Sequence, residues 1–262
     1  MIWKTVQLAE ADGVATITLN RPEKRNAISF ELIDDLMAAL SAGRESAAQV
    51  VIITGAGQAF CSGMDLESLK TLSAAGRSYE DNLKDSETMA RLFRSIYDFP
   101  KPTIAAVNGP AIAGGTGIAT ACDFTLASTN ATFGYTEVRI GFIPAIVSSL
   151  LKRQVGEKHA RDLLLTGRIF SAEEAYRMGL VTEVLEPEQL MPRARELAAS
   201  IMENSPTSVR LAKALLSEYA RAQLDREMKL GQEENARIRS TEDFREGVTA
   251  FLEKRKPKWK GK

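Results

Sequence analysis

Residues 13–22, GVATITLNRP, alternate apolar and polar side chains and stop at a proline. This is the period-two pattern of a strand with one buried face. Ser29 then stands where a helix N-cap belongs, ahead of FELIDDLMAALSAG. Phe30, Ile33, Leu36, Met37 and Leu40 recur at helical spacing and predict one apolar face, with Gly43 as the expected stop. QVVIITGAG is a short continuous apolar run, as expected of a strand buried on both faces of a parallel sheet. GRSYEDNLKDSETMARLFRSIYDF predicts a long helix with a polar start, closed by Pro100 and Pro102. TIAAVNG is a second buried strand, DFTLAS and ATFGY are further short strands, and EKHARDLLLTG is a helix. Strands alternating with helices predict an α/β fold with a parallel sheet.

The pattern changes near residue 190. From 191 to 254 helical periodicity dominates and strand signals vanish. ARELAASIMENSP, SVRLAKALLSEYA and LDREMKLGQEENARIRS predict three helices, followed by TEDFREGVTAFLEKR as a fourth. The chain therefore divides into a core, residues 1–190, and a C-terminal helical region, residues 191–262. That region packs on its own core or on another subunit. No fixed-period repeat of solenoid type occurs.

Charge narrows the classes of partner. The 34 basic and 34 acidic residues cancel, so no global field favours nucleic acid or a membrane surface. Any anionic ligand must be held by local features. Cys61 and Cys122 cannot build a disulfide framework and are expected as small buried residues. No Cys/His grouping has zinc-ligand spacing. The first residues lack a secretory apolar core, and no apolar run reaches membrane-spanning length. The expectation is a soluble, cytoplasmic protein.

Nucleotide fingerprints fail. Gly55-Ala56-Gly57-Gln58-Ala59-Phe60 follows a strand but has Phe60 where GxGxxG needs its third glycine, and residues 115–120 fail likewise. No GxSxG elbow occurs, and the single histidine, His159, sits in a charged helical stretch and is expected to be exposed. Two glycine-bearing turns remain, each directly after a buried strand: GAGQAFCSGMDL and NGPAIAGGTG. Each glycine placed in a helix costs about 1 kcal/mol relative to alanine, so Gly114, Gly115 and Gly117 need a reason. One is close packing. The other is a tight turn that aims backbone N–H groups into a cleft, where two donors on one oxygen form an oxyanion hole.

Six segments together resemble the enoyl-CoA hydratase/isomerase (crotonase) family. They are NRPEKRNAIS (20–29), ITGAGQAFCSGMDL (53–66), AAVNGPAIAGGTGIATACDF (105–124), FGYTEVRIGFIP (133–144), ARDLLLTGRIFSAEEAYRMGLVTEV (160–184) and EGVTAFLEKRKPKW (246–259). The resemblance runs almost the whole length, in the family's order. It implies a spiral of ββα units with a C-terminal α-helical region that builds homotrimers, often paired into hexamers. It also implies an acyl-CoA thioester substrate, with coenzyme A as part of the substrate rather than a separate cofactor; from charge, apolar-run length and Cys/His spacing, no nucleic acid, membrane or metal is expected. The family's oxyanion donors match the N–H groups of Met64 and Gly114. The substrate pocket implied by the same motifs contains Arg25, Ala27, Ser62, Gly63, Asp65, Leu66, Ile112, Ala113 and Thr136. Phe251 and Lys254 are assigned to the adenine-phosphate end of coenzyme A, reached from a neighbouring subunit.

Hydratases of this family typically carry two glutamates. The position three residues after Gly114, which shares its helical face, is Gly117 here; the later position matches Glu137 in YTEVRIG. A single carboxylate suits an isomerase, which takes a proton from one carbon and returns it to another. The longer match, EVRIG followed by PA, is to bacterial methylglutaconyl-CoA hydratase-like members that also lack the first glutamate, which favours a hydratase. An inert CoA-binding or RNA-binding protein is the third reading. Two further departures stand out. IPAIVSSLL replaces a glycine-rich run, so Ala145, Ile146 and Val147 are expected to line or narrow the acyl end. Glu67 follows Asp65-Leu66 where the family often has a lysine.

Overall fold

The computed structural model describes residues 1–74 and 76–262. Its elements run β1 (Val6–Ala11), β2 (Val14–Leu19), α1 (Phe30–Glu45), β3 (Val50–Gly55), α2 (Leu66–Leu72), α3 (Tyr79–Tyr97), β4 (Thr103–Val107), β5 (Ala111–Ile112) and α4 (Gly114–Ala121). There follow β6 (Phe124–Ser128), β7 (Thr132–Gly134), α5 (Ala145–Thr166), β8 (Ile169–Ser171), α6 (Ala172–Arg177), β9 (Glu183–Leu185), α7 (Leu190–Met202), α8 (Pro206–Ile238) and α9 (Glu242–Leu252). Six strands form one sheet in the order β1-β2-β3-β4-β6-β9, and β5, β7 and β8 form a second. In both β4–β5–α4 and β6–β7–α5 the first strand joins the large sheet, the second joins the small one, and a helix follows. This is the mixed α/β architecture of ββα units that the resemblance implies.

The large sheet is parallel from β2 to β9, but β1 pairs antiparallel with β2. The hairpin adds an antiparallel edge strand to the expected parallel sheet. Its turn is Asp12-Gly13, both at positive φ (50° and 77°), the residue pair that a two-residue hairpin loop demands. Ser29 caps α1, its hydroxyl accepting from Leu32 N at 3.1 Å. Gly43 does not end this helix, which runs on to Glu45. The buried face is Leu32, Ile33, Leu36, Ala39 and Leu40, with Phe30 left at the edge.

One apolar cluster fills the space between the sheet and helices α1, α3, α4 and α5; a second covers the opposite sheet face. There Leu190, Ala194 and Ala198 of α7 meet Val50, Ile52, Ile104 and Leu126. Residues 206–238 form one 33-residue helix, not two, because no residue between the two predicted segments breaks the pattern. The EKHARDLLLTG helix is the second half of α5, which bends at Gly156, a residue with non-helical dihedrals (φ 72°, ψ 169°). Among the described residues no helix is long and apolar enough to cross a membrane.

Candidate active site

Three loops are stitched together beside the C-terminal ends of β2, β3 and β4. Phe60 N and Cys61 N both donate to Pro110 O at 3.1 Å, and Ile112 N donates back to Cys61 O at 2.9 Å. On the other side, Ile28 N donates to Gly63 O at 2.7 Å and Asp65 N to Ile28 O at 2.9 Å. These bonds make Met64 the bridge partner of Ile28. In such a parallel bridge Met64's own N–H faces the opposite way. Among the described residues it has no backbone or side-chain acceptor.

Glycines make this approach possible. Gly63 has φ +84°, and a Cβ there would lie 3.0 Å from Ile112 O. At Gly115 a Cβ would fall 2.2 Å from Cys61 O. Ala113 holds φ 51° and ψ −120°, with its N–H donating to Gly134 O at 2.6 Å. Alanine seldom adopts positive φ, so this kink is held by its surroundings. It delivers Gly114 to the first position of α4, where an N–H has no intrahelical partner. Gly114 N–H is likewise left open.

Glu137 opens a 3-10 turn, Glu137–Ile140, that ends on Gly141 at φ 68°. The turn is clamped by α9: a Cβ at Gly247 would meet Ile140 O at 2.3 Å, and one at Gly141 would meet Asp243 O at 2.3 Å. Only glycine at both positions permits this packing. Glu137 is half-buried as a residue, but its Oε2 is shut off from solvent and has no hydrogen-bond partner. Burial lifts its pKa from 4.5 to about 7, with its own backbone N–H pulling weakly the other way. An uncompensated buried carboxyl is poised to change charge near neutrality.

Met64, Gly114 and Glu137 line one cavity of about 230 Å³. Of the other expected pocket residues, Ser62, Gly63, Ile112, Ala113, Thr136 and Phe251 line it too. Ala145, Ile146 and Val147 form part of the same lining. Five expected residues do not. Asp65 caps α2 through Ser68 N at 2.8 Å and pairs with Arg21 at 3.2 Å, which holds its pKa low against the opposing effect of burial. Arg25 is exposed and left-handed (φ 51°), and its carbonyl accepts from Ser62 N at 3.0 Å. Ala27 is buried, its carbonyl accepting from Arg21 Nη1 at 2.6 Å. Leu66 and Lys254 are exposed and lie off the cavity. Phe251 lines this chain's own cavity, where α9 packs over the Glu137–Ile140 turn.

Gly117 is not an empty place. A Cβ there would lie 2.5 Å from Phe93 Cζ, so the Phe93 ring occupies the space where a side chain at 117 would go. Sequence reading passed over Phe93, Met89 and Asp85, which line the cavity from α3. Their four-residue spacing was visible, but nothing local says which face of α3 turns to a ligand. Cys61 and Cys122 are buried free thiols, both pushed up to about 12 by burial, and His159 is exposed. Burial thereby disfavours the thiolate at either cysteine.

Paired strands that alternate between two sheets, with two open amide donors and one unpaired carboxyl in a shared cavity, have the form that the crotonase resemblance implies. A family model described as enoyl-CoA hydratase/isomerase matches residues 9–262, and the chain belongs to that family. Among its relatives is a crotonyl-CoA hydratase of Syntrophomonas wolfei, 36% identical, with 98% of each chain covered. Another is a mevalonyl-coenzyme A hydratase of Aspergillus fumigatus, 39% identical over 94% of this chain and 91% of that protein. The crystal structure of an enoyl-CoA hydratase from Mycobacterium avium covers 99% of this chain and 100% of that one, at 34% identity and a TM-score of 0.87.

Proposed function

We propose that this enzyme adds water across the double bond of an α,β-unsaturated acyl-CoA, with Glu137 as its one acid/base. The observation that supports it is the unpaired Glu137 carboxyl sharing a cavity with two unpaired N–H groups, Met64 and Gly114. The ionised carboxylate takes a proton from water as the water oxygen bonds to the β-carbon. The π electrons move through the α-carbon onto the thioester oxygen, where the two N–H donors hold the growing charge. Charge on that oxygen peaks in the transition state, so the donors stabilise it more than the ground state. Glu137, now protonated, returns the proton to the α-carbon as the carbonyl re-forms.

A second reading keeps the same residues. One unpaired carboxyl, with Phe93 filling the space at Gly117, also suits an enoyl isomerase that moves a proton between two carbons. Separate incubation with 2-enoyl- and 3-enoyl-CoA decides between them. The hydratase reading requires loss of 2-enoyl absorbance with a 3-hydroxyacyl product. A shifted double bond on the 3-enoyl substrate with no water added to the 2-enoyl one overturns it. Glu137→Gln is expected to abolish turnover in either case while leaving thioester binding in place. Homotrimeric or hexameric assembly is part of the proposal, read by light scattering. Leu211, Leu215, Leu216 and Tyr219 on α8 are all more than half exposed, which supports an apolar contact between copies.

A further inference from the structure

Helix α4 carries two threonines one turn apart, both buried. Thr120 behaves as helical threonines do: its hydroxyl donates back to the carbonyl four residues earlier, Thr116 O, at 2.7 Å. Thr116 does not. Its hydroxyl reaches out of the helix to Ala111 O of β5 at 2.6 Å and to Gly134 O of β7 at 3.1 Å. It also accepts from Gly134 N at 3.2 Å. A hydroxyl has a single proton to donate, so the two carbonyls share it. Thr116 is fully buried, and solvent cannot stand in for its hydroxyl.

Gly134 O is also the acceptor for Ala113 N–H, at 2.6 Å. Ala113 is the kinked residue (φ 51°, ψ −120°) ahead of Gly114. Its own carbonyl accepts from Gly117 N at 3.0 Å. A trans peptide is planar, so holding the Ala113 carbonyl against Gly117 turns the Gly114 N–H the opposite way, off the start of the helix. Alanine does not hold this kink unaided. The Gly134 carbonyl holds it, and Thr116 holds that carbonyl. Gly134 also stands three residues before Glu137 in the chain. One buried hydroxyl therefore ties the strand leading to the open donor to the strand leading to the unpaired carboxyl.

We propose that Thr116 is a positioning residue for the reaction: through the Gly134 carbonyl it aims the Gly114 N–H at the thioester oxygen and fixes that donor's place relative to Glu137. The proposal rests on the reading of Gly114 as an oxyanion donor. A role confined to pairing β5 with β7 is the alternative, and it costs stability without changing what a bound carbonyl experiences.

The test reads that carbonyl in the full-length protein, by isotope-edited infrared spectroscopy of bound butanoyl-CoA carrying heavy carbon at the thioester carbonyl. This saturated probe does not react. Wild type is expected to lower the carbonyl stretch below its value in water. Thr116→Val keeps the shape and removes the hydroxyl. It is expected to lose about half or more of the shift and about 10–100-fold in kcat, with KM within about threefold of wild type. Thr116→Ser restores both. Thr120→Val removes an equally buried hydroxyl from the same helix and keeps the wild-type shift. An unchanged shift in Thr116→Val overturns the proposal, as do equal losses in the two valine variants. Should Thr116→Val fail to fold, Thr116→Cys, whose thiol is a weaker donor, takes its place: a smaller loss of shift supports the proposal and no loss overturns it. A wild type that leaves the stretch at its value in water refutes Gly114 as a donor, and the proposal with it. Hydration of crotonyl-CoA is followed separately: its absence counts against the hydratase reading, whereas the shift needs no turnover and judges Thr116.

Discussion

Replacing Glu137 by glutamine should make the protein more stable, and more so as pH rises. Burial moves this carboxyl from 4.5 to about 7, so it ionises in the unfolded chain before it ionises in the folded one. Stability is then whole below pH 4.5 and is lost as pH climbs through 7. With about 1.36 kcal/mol per unit, the penalty integrates to about 1 kcal/mol at pH 5 and about 3 kcal/mol at pH 8. Glutamine keeps the shape and carries no charge. The variant should therefore gain about 2 kcal/mol more over wild type at pH 8 than at pH 5. For a chain of this size that is an extra rise of about 4–8 °C in Tm. Thermal unfolding by circular dichroism reads it, with both proteins at one concentration so that assembly does not shift the midpoint. Equal gains at the two pH values, or a loss at pH 8, would refute the account of Glu137 as a buried carboxyl without a partner.

The same group sets the rate profile. The base form starts either proposed reaction, so kcat/KM should rise with pH on a limb centred at about 7; a limb near 4.5 would show Glu137 solvated. Phe93 and Gly117 should behave as a coupled pair. Gly117→Ala drives a methyl toward a ring carbon 2.5 Å away and should cost about 1–3 kcal/mol, measured by urea unfolding. Phe93→Leu in the same chain should relieve at least about 1 kcal/mol of that cost, and strict additivity in the double-mutant cycle would show that the two side chains do not compete.

Periodicity was enough for β2, β3, β4 and α3, because each buries a face whose repeat is written in consecutive residues. It was not enough for β1, where only Val6 and Leu8 are buried and the alternation stops; its signal lay instead in the Asp12-Gly13 turn. Nor did it separate one helix from two over residues 206–238, since length is decided by what α8 packs against. Gly43 misled for a related reason. It sits inside α1, where a Cβ would make only an ordinary contact with Val51 Cγ2 at 3.8 Å, so it is neither a stop nor required by packing.

The sequence by itself determined the α/β class, the family resemblance and the positions of Met64, Gly114 and Glu137, because motifs in fixed order carry that information along the chain. It took the packed structure to put Phe93 in the place beside Gly117, Phe251 in the lining of the cavity, and Arg239 at that cavity with an unpaired Nε–H. Each of these joins residues from elements distant in the chain, and their burial and pairing arise only when those elements pack. Charge and hydrophobicity read residue by residue contain no such information.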